Sequence, residues 1–227
     1  MRIEITGDSS LLVRFGDTVS NESSREVITL FRHLEALREP RIRNIHPAYA
    51  SVLIDFDPLR MNHEELGGLI EQLIVRESED TGEARSVRIP VCYDIDFGID
   101  LPFIAEYCGV TEQEVIELHS STDYVVRFIG FNPGFGYLGG LPAKLEVPRL
   151  EAPRKHVVAG SVGIAGSQAG VYPVDSPGGW RLLGRTPLRM FNPAAEPPTR
   201  LQIGNTVRFD PVDRMTFDKL AAAEHVW

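Results

Sequence analysis

Glycine is concentrated in one part of this 227-residue chain, and that concentration limits what the part can form. Between Gly130 and Arg185 lie 12 of the chain's 20 glycines, and short apolar pieces such as HVVAG, SVGIAG and GVYPV alternate with them. Glycine destabilises helix interiors, whereas regular turns between short apolar runs are typical of β structure. The pattern therefore predicts a closed or nearly closed β-barrel.

The segment Ile129–Arg154 combines aromatic residues, prolines and arginines in the sequence IGFNPGFGYLGGLPAKLEVPRLEAPR. Its prolines would break a helix and remove ladder hydrogen bonds from a central strand. We therefore expect a shaped loop system that presents Phe131, Tyr137 and cationic groups, and such loops often carry function. The alternative, which the sequence leaves open, is a set of barrel turns whose aromatic residues only fill the core.

The sequence pattern of the first part of the chain predicts a small α+β unit. Short apolar strands, among them RIEIT, LLVRF and SVLIDFD, alternate with two amphipathic helices in the order ββαββα. Capping boxes mark the expected helix starts, one formed by Ser23 with Glu26 and the other by Asn62 with Glu65.

The charged stretch RESEDTGEAR at 76–85 has no periodicity and is typical of a surface linker. We therefore expect an α+β domain over residues 1–80 and a mostly β barrel domain over 85–227. The barrel domain should open with the strand SVRIPV and a short helical pair, whose second helix begins at a capping box of Thr111 with Glu114.

Composition and charge exclude several classes of function. A formal net charge of -9 argues against a nucleic-acid surface, which would need a basic stripe. No apolar run approaches the ~18 residues of a membrane span, and the start lacks the pattern of a signal peptide. The histidines and cysteines show no zinc-ligand spacing, so no metal site is predicted. We expect a cytoplasmic protein without nucleic-acid or membrane partners.

Two motifs in the glycine-rich region resemble catalytic signatures but lack their context. Gly134–Gly139 spells GxGxxG, yet Pro142 follows where a dinucleotide site needs a helix. Ser161 is one residue away from a nucleophile-elbow pattern, with Asp175 and His225 in hydrolase order, but GIAGSQAGVYP cannot form the helix that an elbow requires. We therefore interpret the first motif as a chance match to a dinucleotide site and the second as a tight turn of the barrel.

Candidate ligand contacts occupy a span of low charge. Residues 156–180 contain one charged residue, Asp175, among Ser, Gln, Tyr, Gly and Pro. Such a span suits the wall of a pocket for a small polar ligand, with Ser161, Gln168 and Tyr172 as contacts. It also suits an interface that excludes charge from its core.

Charged and titratable candidates flank this span. Arginine can bind a carboxylate or phosphate through two parallel hydrogen bonds, which makes Arg149, Arg154 and Arg185 candidates, although each could be a solvated side chain, Arg149 especially. His119 ends a helix just before the strand that leads into Ile129–Arg154. It could act as a general acid or base beside the loop, or stabilise the helix C-terminus as an imidazolium.

Five blocks of the chain together resemble one known family. In order they are GFNPGFGYLGGLP, PRLEAPR, AGSVGIAGSQAGVYP, SPGGW and GRTP. They are similar to the family that contains the sporulation kinase inhibitor KipI, the B subunit of bacterial 5-oxoprolinase and the allophanate hydrolase subunit 1 domain. The flanking strands and the first part of the chain agree in kind, so the resemblance covers nearly the whole chain.

The resemblance implies a ferredoxin-like N-terminal domain and a cyclophilin-like barrel. It also implies partners: a cyclophilin-like C subunit, of the allophanate hydrolase subunit 2 type, whose barrel faces this one around a shared polar pocket, and a separate A subunit. The implied reaction is the ATP-driven opening of 5-oxoproline to glutamate, in which phosphorylation activates the lactam carbonyl before water opens the ring. The chain alone should be nearly inactive, and where ATP binds is left open.

Carried onto this chain, the resemblance implies roles for individual residues. His119 is the candidate acid or base, and Arg154 the candidate that binds the substrate carboxylate or a phosphate. The expected substrate contacts are Phe131, Tyr137, Ser161, Gln168, Tyr172 and Arg185. Two other functions stay open: inhibition of a sensor histidine kinase, as in KipI, and a role in an allophanate- or urea-processing system.

Overall fold

A computed structural model describes residues 1–18, 20–75 and 85–223. The chain divides at residue 85 into two units, each with a hydrophobic core of its own. Most of the stretch interpreted as a linker, 76–84, lies outside the described residues. Within the described ranges, no helix has the length and apolar character needed to cross a membrane.

The first unit has the predicted element order ββαββα. Its elements are β1 (Arg2–Ile5), β2 (Ser10–Arg14), α1 (Asn21–Leu37), β3 (Ile42–Pro47), β4 (Ser51–Phe56) and α2 (His63–Val75). The strands form an antiparallel sheet in the order β1-β2-β4-β3. Every second residue of β2 and β4 is buried, because side chains alternate between the faces of a sheet and one face carries the core. The α+β class agrees with the prediction, while the ferredoxin-like arrangement stays a prediction.

The start of α1 differs from the prediction. The Ser20 hydroxyl accepts a hydrogen bond from the Ser23 N–H at 3.0 Å, and the Ser23 hydroxyl accepts one from the Ser20 N–H at 3.1 Å. The helix therefore begins three residues earlier than a box of Ser23 with Glu26 would place it, because a second serine can supply the reciprocal acceptor. The other two predicted boxes are observed, at Asn62 with Glu65 and at Thr111 with Glu114.

The second unit is mostly β structure. Its strands are β5 (Ser86–Val91), β6 (Tyr124–Ile129), β7 (Gly136–Gly139), β8 (Arg154–Val157), β9 (Ser161–Ala165), β10 (Gln168–Val171), β11 (Ser176–Gly178), β12 (Arg181–Arg185) and β13 (Thr206–Pro211). Its helices are α3 (Leu101–Cys108), α4 (Glu112–Ser120) and α5 (Arg214–Ala223), of which the last was not predicted.

Seven of these strands form a nearly closed barrel in the order β12-β9-β10-β7-β6-β13-β5. The two outer strands meet where the Cys92 and Arg185 backbones exchange hydrogen bonds, each 2.9 Å long. We call this contact the barrel seam. Strands β8 and β11 form a separate antiparallel pair. The barrel confirms the coarse prediction, and its cyclophilin-like character stays a prediction.

Part of Ile129–Arg154 is a strand and not a loop. Gly136–Gly139 forms β7, which pairs with β6 on one side and β10 on the other. The expectation of a loop was wrong here because the nearest prolines, Pro133 and Pro142, flank these four residues and leave their ladder groups free to pair. The segment therefore supplies a barrel strand as well as loops, and the functional role of its loops stays a prediction.

Gly184 allows the close approach of backbones at the barrel seam. A Cβ at this position would lie 2.5 Å from the Cys92 carbonyl oxygen. We expect Gly184→Ala to lower the free energy of unfolding by about 1–3 kcal/mol, because the seam must shift to admit the methyl group. Urea denaturation measures the change. As a control, Gly67→Ala in α2 meets nothing within 4 Å and should raise stability by about 0.5–1 kcal/mol. Unchanged stability of the Gly184 variant would contradict this view of the seam.

Candidate functional site

Aromatic residues of the second unit line an open depression of 320 Å³, which we call the aromatic groove. Its lining consists of Phe131, Phe135, Tyr137, Arg149, Leu150, Pro153, Tyr172, Pro177, Gly178, Gly179 and Trp180. The lining residues come from β7, from β11 and from the loops of Ile129–Arg154, among other parts of the unit. The groove brings together Phe131, Tyr137 and Tyr172 from the predicted substrate contacts, and Arg149 from the three candidate arginines.

The groove wall is built around Phe135, which is 2% exposed. The centroid of its ring lies 5.0 Å from that of Tyr137 and 5.3 Å from those of Tyr172 and Trp180, all edge to face. This ring geometry is favourable, so the aromatic side chains fix one another. Gly178 completes the packing, because a Cβ there would lie 2.4 Å from the Tyr172 hydroxyl oxygen.

Phe131 lies at the mouth of the groove and is 59% exposed. Its φ of 65° is in the left-handed region, which a bulky residue rarely adopts. Edge-to-face contacts with Phe135 and Tyr172, at centroid distances of 5.5 and 6.3 Å, hold the ring over the opening. Strained backbone of this kind is concentrated at functional sites, so the groove is the best-marked candidate site of the unit.

The groove is apolar and carries one positive charge. Burial raises the pKa of Tyr137 and of Tyr172, and the nearby charge of Arg149 acts in the opposite direction on both. Both phenols are therefore neutral near pH 7. The Arg149 guanidinium lies 5.9 Å from the centroid of the Trp180 ring and is exposed. Among the described lining residues none is acidic, and Arg149 supplies the positive charge.

Arg154, predicted to bind a substrate anion, is engaged inside the protein instead. Its Nη2 donates to Oδ1 and Oδ2 of Asp100 at 2.8 and 2.9 Å, and its Nη1 donates to the Trp180 carbonyl at 3.2 Å. Asp100 is 5% exposed and also accepts the Leu182 N–H at 2.7 Å. Arg154 is not among the residues that line the groove. Its guanidinium stabilises the backbone behind Trp180.

His119, the predicted acid or base, lies in the barrel core with no exposed surface. Its Nδ1 is 2.7 Å from the Tyr93 hydroxyl, and its ring stacks on Phe209 at 4.4 Å between centroids. Burial lowers its pKa to about 3, so the ring is neutral at physiological pH. The expectation that it lies beside the loop was wrong, and so was the imidazolium alternative. The cause is the packing of the end of α4 onto the barrel, which encloses the residue.

The predicted polar contacts Ser161, Gln168 and Arg185 do not line the groove. Ser161 is buried at the start of β9, which continues as a strand where a nucleophile elbow would need a helix, and His225 lies outside the described residues. Gln168 starts β10, and its buried Oε1 has no hydrogen-bond partner among the described residues. The Arg185 Nε donates to the Ala159 carbonyl at 2.9 Å, and the residue borders a second depression. None of the three lines the aromatic groove, and the polar wall expected from the low-charge span stays a prediction.

The structure adds residues that sequence reasoning did not assign. Phe135 and Trp180 form the centre and one side of the groove, and both stand in the blocks that mark the family. The available signal was their aromatic character beside glycines, since Phe135 lies between two glycines and Trp180 follows Gly179. Asp100 had no such signal, because its partner Arg154 is 54 residues away in the sequence.

The two arginines form a matched pair for measuring stability. Arg154→Met removes the main cation from the buried Asp100 carboxylate, so we expect the free energy of unfolding to fall by about 3 kcal/mol. Arg149→Met removes an exposed side chain and should change it by no more than about 0.5 kcal/mol. Urea denaturation compares the two. Equal effects would show that the Arg154 contacts do not stabilise the fold.

The neutral state of His119 predicts a pH dependence of stability. The folded pKa is about 3, below the ordinary value of 6.5, so the unfolded state takes up the proton first as the pH falls. The contribution is fully present above pH 6.5 and is lost progressively below it, at up to about 1.4 kcal/mol per pH unit. Denaturation of the wild type and His119→Gln between pH 7.5 and 5 measures it. The variant should show the smaller slope, and parallel curves would refute the assignment.

Comparison with known proteins identifies relatives of the chain. The family model described as carboxyltransferase domain, subdomain C and D, matches residues 1–201. The B subunit of 5-oxoprolinase from Bacillus subtilis (strain 168) is 37% identical over 219 residues, which cover 92% of this chain and 91% of that protein. The protein of the same name from Escherichia coli O157:H7 is 54% identical over 129 residues, or 57% of this chain and 59% of that protein.

Among solved structures, a crystal structure of TTHA0988 matches 90% of this chain with a TM-score of 0.81 and 36% identity. This chain spans 40% of the length of TTHA0988. The predicted resemblance to the family of the 5-oxoprolinase B subunit is confirmed by the two bacterial relatives. The chain therefore belongs to the family of the carboxyltransferase domain, subdomains C and D, and is a relative of the bacterial proteins named as the B subunit of 5-oxoprolinase.

Proposed function

We propose that the chain is the B subunit of an ATP-dependent 5-oxoprolinase, which hydrolyses the lactam of 5-oxoproline to L-glutamate. The observation that carries the proposal is the end-to-end likeness to the Bacillus subtilis protein of that name, over 92% of this chain and 91% of that one. A likeness over both full lengths supports a common role more strongly than a shared fold does. The proposed domains are residues 1–80, ferredoxin-like, and 85–227, a cyclophilin-like barrel.

In this proposal the chain works in a cytoplasmic complex with an A subunit and a barrel-containing C subunit. One ATP and two waters are consumed for each ring opened. One water opens the phosphorylated lactam and the second releases the phosphate, so the products are glutamate, ADP and phosphate. The GxGxxG sequence Gly134–Gly139 ends in strand β7 and does not open a helix, so it offers no helix N-terminus to a phosphate. This supports a division of labour in which one of the partners binds ATP and the chain alone is nearly inactive.

Reconstitution tests the proposal. The chain is co-expressed with its two partner subunits, and the release of L-glutamate and ADP from 5-oxoproline and ATP is followed. We expect the two products in equal amounts from the full complex and background release when this chain is left out. A full complex without glutamate release, or a complex whose activity does not depend on this chain, would disprove the proposal.

A second candidate function is inhibition of a sensor histidine kinase. It is supported by one observation, the exposure of Phe131 at the mouth of an aromatic groove, where a partner helix could dock. The same purified chain, titrated into kinase autophosphorylation reactions, separates the two functions. A flat response at micromolar protein together with glutamate release from the complex favours the oxoprolinase role.

A further inference from the structure

The aromatic groove has the size and shape of a small-molecule site. Its volume of 320 Å³ lies at the lower end of the roughly 300–1,000 Å³ range of ligand pockets. Its wall is preformed, because Phe135 is in ring contact with Tyr137, Tyr172 and Trp180. A ligand that enters therefore meets flat, rigid faces and does not have to order them.

Arg149 is the charged group that the groove offers to a ligand. Its guanidinium forms no ion pair with a carboxylate among the described residues, whereas Arg154 is bound to Asp100. Its charge reaches both phenols of the wall, since it acts on the pKa of Tyr137 and of Tyr172. The planar fork of an arginine matches the two oxygens of a carboxylate.

The rest of the lining restricts the ligand further. The walls are neutral aromatic rings and prolines, which favour a compact ring and disfavour a long polar chain. Because no described lining residue is acidic, a cation has no counter-ion in the groove while an anion has one. These features suit a small ring that bears a single carboxylate.

We propose that the aromatic groove binds a small cyclic carboxylate, with its carboxylate on Arg149 and its ring against Trp180 and Tyr137. The identity of that ligand rests on the proposed function, under which it is 5-oxoproline. Arg149, and not Arg154, is then the residue that recognises the substrate carboxylate. Phe131, at the mouth, would cover the bound ring.

Kinetics of the reconstituted complex test the role of Arg149. We expect Arg149→Gln to raise the KM for 5-oxoproline at least tenfold, because it removes the charge that pairs with the carboxylate. The control is Arg208→Gln, which removes an exposed arginine paired with Asp123 outside the groove and should leave KM unchanged. The uncharged lactam 2-pyrrolidinone, as a competitive inhibitor, should have the same inhibition constant in the wild type and in Arg149→Gln.

The intrinsic fluorescence of Trp180 can report binding in the groove. The chain has two tryptophans, so Trp227→Phe leaves Trp180 as its sole source of indole fluorescence. Titration of the full chain with 5-oxoproline should change that fluorescence saturably. In Arg149→Gln, the concentration of 5-oxoproline that gives half of the change should be at least tenfold higher. A proline-rich peptide that changes the signal where 5-oxoproline does not would overturn the proposal and identify the groove as a peptide site.

The outcomes separate this proposal from the proposed function. If the wild-type complex opens 5-oxoproline while Arg149→Gln keeps the wild-type KM, the function stands and the assignment of the groove is wrong. An Arg149→Gln variant whose affinity for 5-oxoproline and for 2-pyrrolidinone falls by the same factor would also overturn it, because Arg149 would then not recognise the carboxylate. If the complex releases no glutamate, the proposed function fails, and the fluorescence titration still decides whether the groove binds the cyclic carboxylate.

Discussion

The candidate site depends on the ion pair between the buried Asp100 carboxylate and Arg154. A charge with 5% exposure is tolerated only when it is paired and hydrogen-bonded. Here the partners are Arg154 at the start of β8, Arg181 at 3.5 Å and the Leu182 N–H of β12. Because Arg154 also donates to the Trp180 carbonyl, the same ion pair fixes the backbone of the groove wall. The wall of the groove is held in place because the buried Asp100 carboxylate behind it needs the cation that Arg154 supplies.

Two arginines five positions apart in the sequence thus have opposite environments. Arg154 is held by Asp100, which is 54 residues away, whereas Arg149 is exposed over Trp180. No local pattern distinguishes them, since each follows a proline in a similar context. Which of the two can meet a ligand is decided by a distant carboxylate, and therefore only the three-dimensional structure distinguishes the ligand-accessible arginine from the structural one.

Sequence patterns succeeded where the determining interactions are local. The capping boxes at Asn62 and Thr111 join residues three apart, and the glycine-rich turns mark the short strands. The closure of these strands into a barrel is not local, because only β6-β7 and β9-β10 among its six strand pairs are consecutive in the chain. Sequence patterns failed where the position of a side chain depends on packing against residues far away in the chain. His119 is enclosed by the packing of the end of α4. The low-charge span supplies Tyr172 to the groove but not Ser161 or Gln168. Family blocks identified the region of the site, but the choice of residues within it needed the contacts.

The barrel seam has a consequence for synthesis of the chain. Strand β5 opens the second unit with Val87, Ile89 and Val91 buried in the finished core, yet its neighbours are β13 and the Arg185 end of β12, which are made last. During translation this apolar strand leaves the ribosome long before either edge can be covered, and uncovered edges invite pairing with other chains. A chaperone that shields the first strand until the last one arrives would therefore act at the step where assembly is most exposed to error.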